Sequence, residues 1–101
     1  MKNIVALRTL RLHWEKRGRG DSEQALKTWY QEVKKVHWKS PHCVKEQFRN
    51  VSVIGANVLV FNICGNKYRL VVKVNYAAQW VFILFVGTHE EYDRIDDIEN
   101  I

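Results

Sequence analysis

Apolar positions crowd most densely between residues 58 and 86, in three runs separated by two short turns. Val58–Ile63 is β-branched and aromatic, a composition that favours a strand. Gly65–Asn66 is a turn signal, and the run Lys67–Tyr76 completes a hairpin with it. Tyr76-Ala-Ala-Gln-Trp80 forms the second connection, and Trp80–Val86 is a third strand that Gly87 should break. Thr88 stands three residues before Glu91. That is capping-box spacing, so a helix should begin at His89. Tyr92, Ile95 and Ile98 lie on one side of it and should pack back on the sheet.

The first half of the chain carries a helical period. Residues 2–6 are either a short strand or the start of a helix, with Ile4–Val5 arguing for the strand. Leu7, Leu10 and Trp14 share one side of an amphipathic helix over 7–17, which the Gly-Arg-Gly at 18–20 ends. Asp21, with Gln24 three residues on, is set to cap a second helix. Its apolar face is Ala25, Leu26, Trp29, Tyr30, Val33 and Val36, and the pattern runs to Trp38, ahead of Ser40–Pro41. Trp14 and Trp29 therefore belong to the core. Residues 39–56 read as a basic connection with one short helical turn, bearing Lys39, His42, Lys45 and Arg49. The fold class is α+β: an N-terminal helical hairpin on a small, mainly antiparallel sheet, with a short C-terminal helix. The 101 residues should form a single domain.

Charge changes this picture by its placement. The formal net charge is +5. Residues 1–50 hold 12 Lys and Arg against 5 Asp and Glu, whereas residues 51–101 hold 4 against 6, the acids clustering at 90–99. The sheet is sparsely charged, so its cations stand out. With a period of two, Tyr68, Leu70, Val72, Val74 and Tyr76 face the helices, and Lys67, Arg69, Val71, Lys73 and Asn75 face away. Arg69 and Lys73 are about 13 Å apart along the strand, and long side chains can lean toward a point between them. An ordinary solvated sheet face is the plainer reading of the same pattern. The basic excess fits a polyanionic partner.

The two cysteines have no metal-ligand spacing, nor do His13, His37 and His42, so no metal and no cofactor is expected. The N-terminus has no long apolar run before a cleavage site, and Trp80–Gly87 is too short to span a bilayer. A soluble, cytoplasmic protein with no membrane partner is expected. No nucleophile elbow, phosphate loop or zinc-protease motif is present. His89 is the side chain best suited to moving a proton near neutral pH, although a surface histidine at a helix start would look the same. Tyr92 is equally suited to packing.

Two motifs carry a family resemblance: VFNICGNKYRLVVKV at 60–74, a turn followed by a strand holding an arginine, and VGTHEEYD at 86–93, a strand leading into a Thr-His helix start. In this order they resemble the RelE-like toxins of bacterial type II toxin–antitoxin systems, most of all the HigB branch. The likeness covers residues 40–95, and the helical hairpin matches by pattern alone.

The resemblance implies a RelE-like fold and a metal-independent endoribonuclease that cuts mRNA, with the ribosome and a helix-turn-helix antitoxin as partners. It further implies that Arg69 contacts the transition-state phosphate, Lys73 holds phosphate or assists, His89 acts as acid or base and Tyr92 orients RNA. Lys45, Arg49 and Lys67 would hold the RNA backbone. Some relatives place an extra cation where His89 stands. Glu90 and Glu91 beside it leave the division between acid and base open. A non-catalytic RNA- or ribosome-binding module is the alternative.

Overall fold

The alternation of the β segments builds one five-stranded sheet. The computed structural model describes residues 1–55 and 57–101; Ala56, the last residue of the basic connection, lies outside them. The strands are β1 (Asn3–Val5), β2 (Ser52–Ile54), β3 (Val58–Ile63), β4 (Tyr68–Asn75) and β5 (Trp80–Thr88). Their order across the sheet is β1-β5-β4-β3-β2. β1 runs parallel to β5, and every other pair is antiparallel. The helices are α1 (Leu7–Trp14), α2 (Ser22–Lys34), α3 (Pro41–Gln47) and α4 (His89–Asp93), with a 3-10 turn at Ile98–Asn100. This is the expected α+β class. Residues 3–5 resolve the opening ambiguity in favour of a strand.

The period of two in β4 sorts the molecule into an inner and an outer face. Tyr68, Leu70, Val72 and Val74 enter the main core with Leu26, Trp29, Val33, Trp38 and Phe61. α1 packs on β5, and α2 on β1 and β3. Leu26, Val33, Leu70 and Val72 are wholly buried. Each such side chain contributes about 1.5–3 kcal/mol relative to exposure. Val58, Val60 and Val71 form a smaller cluster on the outer face.

Several local expectations give way to tertiary packing. α1 ends at Trp14, not Arg17, because residues 15–21 form turns with Gly18 in the left-handed region. α2 ends at Lys34, not Trp38. The chain straightens there and inserts Trp38, 1% exposed, parallel to Phe61 and edge-on to Phe48. The Trp38 indole donates to Gln47 Oε1 at 2.9 Å, and the Met1 nitrogen donates to the carbonyls of Val33 and Val36 near the helix end. The Asp21–Gln24 capping box does not form. Asp21 makes no cap bond, and its carboxylate instead accepts from Tyr68 Oη at 2.7 Å and from Lys67 Nζ.

The basic connection contains more structure than one turn. Pro41 opens α3 at a position where its missing N–H costs nothing, and β2 follows as an edge strand. The third strand does not stop at Gly87. β5 continues to Thr88, with Gly87 inside the pairing opposite Arg69. A Cβ at Gly87 would lie 2.6 Å from both Phe85 Cζ and Glu91 Oε1. The glycine marks a close approach of side chains rather than a break.

Candidate active site

The outer face is organised by β4, whose outward residues are Arg69, Val71, Lys73 and Asn75. Arg69 lies between Asn62 of β3 and Gly87 of β5, Val71 between Val60 and Phe85, and Lys73 between Val58 and Phe82. A register shift in β5 pairs Val71 with Phe85 and Val72 with Ile83, leaving Leu84 as the extra residue. The bulge keeps Phe82 and Phe85 on the same face although they are an odd number of residues apart.

The C-terminal segment crosses the middle of this face. Tyr92 and Ile98 pack with Phe85 and Ile54 over Val58, Val60 and Val71, and Val71 is wholly buried. Arg69 and Lys73 therefore flank a covered apolar patch and do not lean into a common point. The Arg69 guanidinium turns toward the β3–β4 turn, donating to Asn66 O at 3.1 Å and Tyr68 O at 3.4 Å. Lys73 is exposed and has no ion pair among the described residues. Tyr92 is part of the apolar cover, which is the packing half of its two readings.

The start of α4 comes directly after the strand residues that pair with Tyr68 and Arg69. The expected capping box is present: Thr88 Oγ1 accepts from Glu91 N at 3.2 Å, and Glu91 Oε1 accepts from Thr88 N at 2.9 Å. His89 is exposed, and its Nδ1 lies 2.9 Å from Asp93 Oδ2 one turn on. An imidazole held at Nδ1 by a carboxylate is oriented for proton transfer through Nε2. Asp93 is one of the acids that follow His89 in the sequence, and the helix brings its carboxylate to the ring. The i,i+4 spacing of the two residues is the signal for that contact.

The Glu91 carboxylate has a second role. Its Oε1 also accepts from Arg19 Nη1 at 2.8 Å, tying α4 to the turn of the helical hairpin. That hydrogen bond, the Thr88 amide and the positive charges of Arg19 and Lys16 hold the Glu91 carboxyl down to about 2 against the effect of burial. Nothing local in the sequence links residues 19 and 91.

Behind this contact lies His13, 2% exposed and edge-on to the Tyr68 ring at 4.7 Å. Its Nδ1 is 2.9 Å from Ser22 Oγ. The Ser22 hydroxyl donates its only proton to Arg19 O at 2.7 Å, so His13 Nδ1 must carry the hydrogen toward Ser22. That leaves Nε2 as a buried acceptor with no partner among the described residues. Burial, with the Arg19 and Lys16 charges, pushes the His13 pKa down to about 4, so the ring is neutral.

The three expected backbone-binding residues separate. Arg49 lines a groove of about 340 Å³ with Phe48, Asn62 and Gly65, and Asn62 is the cross-strand neighbour of Arg69. The groove also takes in Val51 and Phe61 of the main core, so Arg49 stands at the edge of the sheet beside β3. Lys45 is exposed on α3 and does not line that groove. Lys67 sits in the β3–β4 turn, outside the strand, and is paired with Asp21. No group of His, Cys, Asp and Glu among the described residues is arranged to hold a metal ion.

A family model for HigB toxins, described as the RelE-like toxic component of a toxin–antitoxin system, matches residues 22–95. The chain belongs to the HigB toxin family. The match runs from the start of α2 through α4, so it takes in Lys45, Arg49, Lys67, Arg69, Lys73, His89 and Tyr92. His13 and Arg19, the hairpin residues behind α4, fall outside it. Membership of the HigB family gives the chain a toxin role and implies an antitoxin partner. A search of curated proteins gave no match. No helix among the described residues is long and apolar enough to cross a membrane.

Proposed function

We propose that this HigB-family toxin is an endoribonuclease that cuts mRNA by attack of a ribose 2′-OH on the adjacent phosphodiester. The observation that carries the reading is the His89–Asp93 pair at the start of α4, next to the strand position that faces Arg69. RNA brings its own nucleophile. The protein must remove the 2′-OH proton, stabilise charge on the five-coordinate phosphorus and protonate the departing 5′-oxygen. His89, steadied by Asp93, exchanges protons. Arg69 offers two parallel N–H groups to the phosphate oxygens, exchanging its present carbonyl contacts for them. The bond from phosphorus to the 5′-oxygen breaks as the 2′-oxygen bonds to phosphorus, leaving a 2′,3′-cyclic phosphate and a 5′-hydroxyl.

Lys73, across the apolar patch, holds a neighbouring phosphate of the bound strand. Arg49, in the groove beside Asn62, holds one on the other side. Lys45 extends that basic path. Tyr92 shapes the floor between Arg69 and Lys73, and Lys67 reaches RNA only by leaving Asp21. In the cytoplasm the substrate is mRNA under translation on the ribosome, and the inhibitor is a helix-turn-helix antitoxin.

Expression of the chain without an antitoxin, with transcript ends mapped during translation, tests the proposal. New 5′-hydroxyl ends that disappear with His89→Gln are expected. Accumulation of folded protein with unchanged transcripts would sink it. A second reading, an RNA- or ribosome-binding module without chemistry, is favoured by the separation of Arg69 from Lys73. It predicts salt-sensitive RNA binding with no new ends.

A further inference from the structure

Beyond Lys73 the outer face ends in an aromatic pair for which the cleavage scheme has no use. Trp80 is 38% exposed, and its ring centroid lies 5.7 Å from that of Phe82, with the planes inclined by 37°. Both point outward, because Val81 between them is wholly buried in the main core. Across the strands Lys73 is the neighbour of Phe82 and Asn75 of Trp80. On the other flank stand Val5 and Asn3 of β1. Lys73, Asn75 and Asn3 are all exposed.

The contrast among the tryptophans is informative. Trp29 and Trp38 are buried, and Trp14 is half-buried with Lys27 over its ring. A tryptophan contributes most to folding when covered. Trp80 instead stands at the open end of a face whose middle the C-terminal segment already closes. Two tilted rings, a cation with no ion pair beside them and amides at the rim match a nucleotide in each of its parts. A base has a π-face to stack, its phosphate is an anion, and its edge carries donors and acceptors.

We propose that Trp80 and Phe82, with Lys73 beside them, form a base-stacking subsite for single-stranded RNA, receiving a nucleotide that flanks the cleavage position. The inference rests on the nuclease reading for its ligand. The phosphate of the stacked nucleotide meets Lys73, and the strand then passes over the Tyr92 patch toward Arg69 and His89. Stacking of this kind tolerates any base, so the subsite adds affinity and register more than sequence choice.

The test uses the whole chain and a fluorescently labelled, uncleavable 2′-O-methyl oligonucleotide, read by anisotropy at low salt. Trp80→Ala should weaken binding by about tenfold or more while leaving the melting temperature unchanged, and Trp80→Phe should restore most of the affinity. An oligonucleotide with abasic positions should bind the native chain about tenfold more weakly yet bind Trp80→Ala no worse than the intact strand does. That coupling separates stacking from general charge attraction. Native-like affinity of Trp80→Ala, with Arg69→Ala still weakened, overturns the subsite and leaves the nuclease reading standing. Absence of binding by the native chain overturns the subsite, while the transcript ends mapped during translation judge the nuclease reading separately. Loss of antitoxin binding with RNA binding intact makes the shelf a protein interface and overturns the proposal.

Discussion

The two faces of the central sheet come from the same eight residues of β4 and are used in opposite ways. Inward, Tyr68, Leu70, Val72 and Val74 meet the helical hairpin in a continuous apolar layer. Outward, the strand alternates exposed or half-exposed polar side chains with Val71, and only the middle of that face is closed, by Tyr92 and Ile98. The inner face supplies stability because water is excluded along its whole length. The outer face keeps its cations accessible at two ends and uses one apolar patch to hold α4 in place. In the proposed scheme, stability and chemistry are thus divided by the pleat of one strand.

Adjacent residues offer the sharpest way to break that division. Leu70→Ala, on the inner face, should cost about 2–5 kcal/mol in urea unfolding, since it opens a cavity in a packed layer. Arg69→Ala, one residue earlier and on the outer face, should lower the cleavage rate about 100-fold or more, with unfolding free energy changed by less than about 0.5 kcal/mol. If both lose stability equally, the two faces are not separate in function.

Contacts that bind the outer segment to the hairpin give smaller effects. Gly87→Ala should cost about 1 kcal/mol, because the added methyl displaces the Phe85 ring and the Glu91 carboxylate, both ends of movable side chains. Arg19→Ala should cost about 1 kcal/mol or less, the pair being half open to solvent. It should also bring the Glu91 carboxyl back up toward its ordinary range, a change that NMR titration would report. Without that rise, Arg19 is not what holds Glu91.

The effects of pH share one sign and differ in their windows. His13 has a folded pKa of about 4 against 6.5. The unfolded chain therefore takes up the proton first, and stability should decline as pH falls from about 6.5 to 4, then level off for this group. His13→Gln should flatten that decline. Glu91, at about 2 against 4.5, contributes stability above pH 4.5 that is lost between about 4.5 and 2. Urea midpoints measured across both windows would separate the two groups. An unchanged slope in His13→Gln would remove His13 from the balance.

Much of this arrangement was legible locally. The alternation in Tyr68–Asn75 separated the two faces, and the Thr88–Glu91 spacing located α4 and with it His89. The Asp21–Gln24 spacing was the same kind of signal, yet no cap formed, because Tyr68 and Lys67 compete for the Asp21 carboxylate from across the fold. Helical period carried past Lys34 in the sequence, but burying Trp38 against Phe61 outweighed one more turn of helix. The convergence expected of Arg69 and Lys73 failed for a similar reason. Strand spacing could measure the gap between them but not what covers it.

By itself the sequence determined the α+β class, the sheet's inner and outer sides, the start of the last helix and the motifs of the HigB family. These depend on residues within one or two turns or strands of each other, where geometry is set by backbone period and capping chemistry. Tertiary structure alone decided the rest: the parallel seat of β1 beside β5, the passage of Tyr92 and Ile98 over Val71, and the Arg19–Glu91 tie across 72 positions. It also decided the burial of His13 and the exposure of Trp80. Such contacts join segments far apart in the chain, and no local period records them. They form because a long-range partner offers better packing or a better hydrogen bond than the nearest neighbour does.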